Sequence, residues 1–163
     1  MRKIIIILTL ASFIFIGCNN ESKKGANPGV EAMNEVFLKG NLITNNYFTG
    51  KAWLNMLVTD KENFDLTAGK VLFEPGARTN WHSHPGGQIL LCTKGNGYYQ
   101  EKGKSIRPLK AGDVVEIYPD IIHWHGASQN SEFEHIAIST QQSKGSVVWM
   151  EPVTDEEYSD NEK

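Results

Sequence analysis

The chain has 163 residues, 40% of them hydrophobic and 21% charged, which suits one globular domain with a packed core. Its formal net charge of −3 carries no basic footprint, so nucleic acid is not expected as a partner. Small neutral or anionic metabolites are compatible with that balance, because a metal's local charge would outweigh it.

Arg2 and Lys3 make a basic start, and residues 4–16 form a mostly apolar run that ends at Gly17-Cys18. Such a run is short of the roughly 20 residues a spanning helix needs and matches a signal-peptide core. The ending Phe15-Ile16-Gly17-Cys18 resembles a bacterial lipobox, with Phe15 in place of the usual leucine. That resemblance implies cleavage before Cys18 and lipidation of Cys18. The alternative is an uncleaved N-terminal anchor. Either places the domain in the cell envelope, facing the periplasm or exterior, with the membrane met only through the N-terminal anchor. With Cys18 lipidated, Cys92 has no disulfide partner, and its apolar run Ile89-Leu90-Leu91 marks a buried inert thiol.

Residues 18–33, rich in Asn, Ser, Lys and Gly, form a flexible tether after a signal peptide at 1–17. The domain itself is expected over 34–163. There, short alternating apolar runs separated by turn residues point to an all-β barrel or sandwich. Strands are predicted at 35–38, 49–58, 66–73, 81–84, 88–94, 97–101, 104–109, 114–117, 123–127 and 134–140, with a last edge strand at 147–150. Turns are predicted at Pro75-Gly76, Pro85-Gly86-Gly87, Gly95-Asn96-Gly97, Gly103 and Pro119-Asp120. Thr154 followed by Glu157 is a capping box for one short C-terminal helix, and the tail after Tyr158 is expected to fray.

The chemistry lies in the histidines. His82 and His84 are two apart, as are His123 and His125, so on strands each pair aims two imidazoles at one face. After the Pro85-Gly86-Gly87 bend, Gln88 can return its amide oxygen to the same centre. Three imidazoles and one carboxamide oxygen make a metal shell with open positions, suited to Mn, Fe, Co, Ni or Zn. One of His123 and His125 is then a ligand and the other a free imidazole. A neutral amide at Gln88 leaves a bound ion its full charge, which favours Lewis-acid chemistry. His135 alternates against apolar neighbours and is expected inside the barrel, either as a hydrogen-bonded inner histidine or as a catalytic one.

The spacing Gly76, His82, His84, Gln88, Gly95 resembles the first motif of the cupin superfamily, G-x5-H-x-H-x3-E-x6-G, with Gln88 in place of glutamate. Gly112 to His123 resembles its second motif, with Ile121 where a glycine is usual after Pro119. The resemblance spans about 100 residues and implies a single-domain cupin, a jelly-roll barrel with one metal near its centre. FEPGARTNWHSHPGGQ, AGDVVEIYPDIIHWHGA and HIAI are also similar to the small manganese cupins of the (R)-mandelonitrile lyase type. Carried over, this implies His82, His84, Gln88 and His123 as ligands, manganese first among the metals, and His125 as a nearby acid/base. It also implies a substrate pocket lined by Gly69, Val71 and Ser139 together with His135. The turn Pro119-Asp120-Ile121-Ile122, the small Gly69 and the lipoprotein start depart from that pattern.

The leading functional expectation is a metal-dependent lyase that cleaves a cyanohydrin to aldehyde and cyanide, with His125 handling the proton. A cupin dioxygenase is the second reading, and a non-catalytic lipoprotein binding a metal and a small metabolite is the third. A small-molecule substrate and a homodimer or homotetramer are expected.

Overall fold

The computed structural model describes residues 35–159. The predicted signal peptide, the lipidation site Cys18, the tether and the last tail residues lie outside the described residues.

Twelve antiparallel strands follow one another as β1 (Asn41–Leu42), β2 (Phe48–Thr49), β3 (Ala52–Val58), β4 (Leu66–Phe73), β5 (Arg78–Thr79), β6 (His82–Ser83), β7 (Gln88–Glu101), β8 (Arg107–Lys110), β9 (Val114–Ile117), β10 (His123–Ala127), β11 (Phe133–Thr140) and β12 (Val148–Trp149). They form two sheets that share β7. The first runs β1-β3-β4-β11-β7-β9; in the second, β10 lies between β7 and the pair β5 and β6, β2 adds to β5, β12 to β6 and β8 to β7.

The sharing of β7 corrects the turn expected at Gly95-Asn96-Gly97. One 14-residue strand runs through it, its first part pairing with β11 and β9 and its second with β10 and β8. The chain bends there without reversing. Gly95 takes φ +71, and a Cβ on it would collide with the Glu132 carbonyl oxygen. Only glycine meets both demands without strain.

Two other expectations change. Residues 35–38 form no strand; they lie against the first sheet, where the buried Lys70 ammonium donates to the Phe37 carbonyl at 2.9 Å and pairs with Glu134 at 2.9 Å. The strand expected over 49–58 is broken at Gly50, which takes φ +77, and its halves β2 and β3 join different sheets. A one-turn helix, α1 (Lys61–Phe64), escaped the sequence reading; Asp60 caps it by accepting from the Asn63 amide at 3.2 Å.

The period-2 pattern otherwise places residues as expected. Val71 and Phe73 of β4, Leu90 and Cys92 of β7, Val115 and Ile117 of β9 and Phe133 of β11 meet between the sheets. On the outside of the second sheet, Trp81 and Trp124 pack with Val153 and with Tyr158 of α2 (Asp155–Ser159). The capping box forms as predicted: the Glu157 amide donates to Thr154 Oγ1 at 3.1 Å and the Thr154 amide to Glu157 Oε2 at 3.0 Å. Tyr158 donates to the Ala127 carbonyl at 2.8 Å, and the Arg78 guanidinium to the Val153 carbonyl at 3.0 Å. The C-terminal segment is thereby pinned to the barrel.

Candidate metal centre

All five histidines of the chain are buried. Those of β6 and β10 face each other because His82 and His123 are register partners. His125 lies one pleat further along β10 on the same face, so the three rings stack into the barrel. Among the described residues, His82, His123 and His125 bring one ring nitrogen each within 4.8 Å of one another. His84 sits beside them, its ring centre 5.3 Å from that of His82 and 5.8 Å from that of His123. Neither of its ring nitrogens has a protein partner.

The second nitrogen of three rings is tied back. His82 Nδ1 lies 3.0 Å from the Asn80 carbonyl oxygen, and His123 Nδ1 lies 2.8 Å from that of Ile121. A carbonyl only accepts, so each Nδ1 carries the proton and each Nε2 presents a lone pair. His125 Nδ1 lies 3.1 Å from His135 Nε2, and His125 Nε2 is unpartnered. Imidazoles that hold metals are commonly fixed in this way.

Gln88, the first residue of β7, completes the cluster. Its Oε1 lies 3.3 Å from His123 Nε2, while its Nε2 donates to Ser139 Oγ at 3.4 Å. Two lone pairs therefore converge with no proton between them. A cation resolves that contact, as it would the unpartnered nitrogens of His84. The donor set of neutral imidazoles and one amide oxygen fits a divalent metal on chemical grounds.

Electrostatics agree. Burial, helped by the charge that His123 would carry, holds His84 down at about 4. Burial lowers His123 to about 4 against a raising hydrogen bond to Ile121, and lowers His135 to about 3. Burial first, then repulsion among the rings, pushes His82 and His125 well below the ordinary histidine value. The rings are neutral at pH 7, the form that ligates.

A cavity of about 120 Å³ adjoins the histidines and is bordered by His82, His84, Gln88 and His125. Val71, predicted for the pocket, borders it as well. Ser139 stands behind Gln88 as its hydrogen-bond partner. Gly69 lies two residues from Val71 on β4, where Leu54 Cδ1 and Met56 Sδ would be 2.8 and 3.3 Å from a Cβ. His135 holds His125 from the interior side, with Phe73 packed on both rings at 5.9 and 5.6 Å. The sequence reading missed Thr79, Phe48, Ala137, Val147 and Trp149, which complete the lining. Of these, Trp149 lay in a run predicted only as an edge strand; β12 brings it to His82.

Residues 61–139 match the cupin domain model. An (R)-mandelonitrile lyase from Granulicella tundricola is 41% identical over 112 residues, which is 69% of this chain and 86% of that protein. The crystal structure of a cupin-like protein from Thermotoga maritima superposes with a TM-score of 0.75 at 53% identity, covering 77% of this chain and 95% of that one. A DMSP lyase from Ruegeria pomeroyi shares the fold alone, at 19% identity and a TM-score of 0.55 over 64% of this chain and 54% of that one. The curled double sheet, the histidine cluster inside it and these relatives agree: the chain belongs to the cupin family.

Proposed function

We propose that this cupin is a metal-dependent lyase of the hydroxynitrile type, which splits a cyanohydrin into a carbonyl compound and hydrogen cyanide. The observation that carries the reading is that His125, which borders the cavity beside His82, has an Nε2 with no partner among the described residues. The (R)-mandelonitrile lyase relative supports the choice of reaction.

His82, His84, Gln88 and His123 would hold the ion, manganese first among the candidates. When bound, a divalent ion supplies a Lewis acid for an oxygen ligand, with its charge undiminished because every donor is neutral. The chain's residues do the rest. With His125 Nδ1 donating to His135, His125 Nε2 accepts the hydroxyl proton of the cyanohydrin. The O–H electron pair forms the carbonyl π bond as the C–C bond breaks, and that bond's pair leaves on cyanide. The His125 imidazolium then returns its proton to cyanide, so hydrogen cyanide departs and the ring is neutral again. Burial favours the neutral ring, which drives the return of the proton and opposes its first transfer to the same degree. A carboxylate at Gln88 would draw down the ion's charge, and the amide avoids this.

We further propose that the domain works in the cell envelope, carried on a lipid at Cys18, as a homodimer or homotetramer. The basic start, the short apolar run and Gly17-Cys18 support the anchor. Radiolabelled palmitate incorporated in wild type and absent from Cys18→Ser is the expected result, and sedimentation of the purified protein tests the assembly.

Cyanide release from mandelonitrile and from acetone cyanohydrin tests the activity. With at least one of the two, metal-loaded protein is expected to exceed both its metal-free form and His125→Ala; release no greater than that of His125→Ala with both substrates overturns the reading.

A further inference from the structure

The cavity beside the histidines, at about 120 Å³, is smaller than the roughly 150 Å³ that holds one benzene molecule in a protein interior. Aromatic packing sets this limit. The Trp149 ring centre lies 4.8 Å from that of His82. Tyr47 stacks on the indole, centres 4.8 Å apart and planes within 5°, and Phe48 packs against it at 5.7 Å.

The backbone beneath the indole is fixed as well. Val148 and Trp149 pair with Ser83 and His82. The Met150 amide donates to the Trp81 carbonyl at 2.9 Å, and the Trp81 amide to the Glu151 carbonyl at 3.0 Å. Asn80 adds a side-chain hydrogen bond to the Met150 carbonyl at 3.3 Å. Swinging the indole away would break its stack on Tyr47 and its contacts with Phe48 and His82.

The lining also states the chemistry of what fits. Among the described residues it contains no carboxylate, lysine or arginine; its polar members are Thr79, His82, His84, His125 and Gln88, and its apolar members include Val71, Ala137 and Val147. A ligand here carries an oxygen at the histidine end and a short aliphatic body at the other.

We propose that Trp149, braced by Tyr47, sets the size limit of this site and confines it to aliphatic oxygen ligands of about three to five carbons, excluding aryl ones. The proposal rests on the reading of the cavity as the ligand pocket of a metal centre, and it differs from the aryl substrate in the name of the Granulicella relative.

Calorimetric titration of the full chain, metal-loaded, with acetate, isobutyrate, benzoate and phenylacetate tests this without relying on turnover. Wild type is expected to bind isobutyrate at least tenfold more tightly than benzoate. Trp149→Ala brings the two within about threefold, and Trp149→Phe lies between. Tyr47→Ala, at an exposed position, shifts the ratio the same way and carries the test should Trp149→Ala fail to fold. The proposal is overturned if wild type binds benzoate as well as isobutyrate, if it binds no member of the series, or if every folded variant keeps the wild-type ratio. Absence of cyanide release alongside the expected ratios would sink the lyase reading and leave the size limit standing.

Discussion

His135 Nε2 and His125 Nδ1 stand 3.1 Å apart inside the barrel, and among the described residues no other side chain holds the His125 imidazole by a hydrogen bond. The contact fixes which His125 nitrogen faces the cavity. His135→Phe keeps the ring's bulk but removes the acceptor. The expected result is a roughly 10–100-fold loss of lyase turnover at unchanged metal content, with nitrogen NMR showing mixed His125 tautomers. Full activity, or loss of metal, would contradict the assigned role.

His123 is tied to Ile121 on one nitrogen and faces Gln88 with the other. His123→Ala should lower metal retained after dialysis at least tenfold, measured by elemental analysis. In wild type, metal at about 100 times its Kd should stabilise the fold by about 2.7 kcal/mol. A thermal shift identical in wild type and His123→Ala would count against the centre.

The pH response of the metal-free protein follows from the same burial. His84 and His123 titrate at about 4 and His135 at about 3 in the folded chain, with His82 and His125 also well below normal. Unfolded, each returns to about 6.5. Between those values the unfolded chain binds the additional protons, so stability rises with pH. Stability is expected in full above about pH 7, falling steadily towards pH 4. Urea midpoints at about pH 8, 6 and 4.5 check this, and a flat series would refute it.

Gly95 and Gly103 both take positive φ, at +71 and +81, but only Gly95 is crowded; nothing lies within 4 Å of a Cβ at Gly103. Gly103→Ala should therefore cost only the left-handed strain, about 1–2 kcal/mol. Gly95→Ala adds a collision with backbone and should cost at least about 1 kcal/mol more. Denaturant melts of the two variants compare them directly.

Much of this was legible in the sequence. Alternation gave the inward faces of β4, β7 and β10, because a strand leaves side chains only two directions. The His-x-His pairs and Gln88 drew attention for the same reason. What escaped depends on partners far along the chain. Gly95-Asn96-Gly97 has the composition of a turn, yet strands on both sides hold β7 continuous. Trp149 shows no local sign of function, and only its pairing with His82 brings it to the cavity. Residues 36–38 form an apolar run as a strand would, but Lys70 captures the Phe37 carbonyl, and no local pattern encodes that contact.

Both sheets border the cavity, and both supply residues to its chemistry. His82, His123 and His125 belong to the second sheet, whereas Val71 on β4 and Ala137 on β11 belong to the first. Substitutions at Val71 and Ala137 can reshape the space offered to a ligand while the lone pairs across from them keep their aim. Inheritance could therefore change what such a barrel accepts at these two positions far more freely than how it reacts, while Gln88 and His135 of the same sheet stay under constraint.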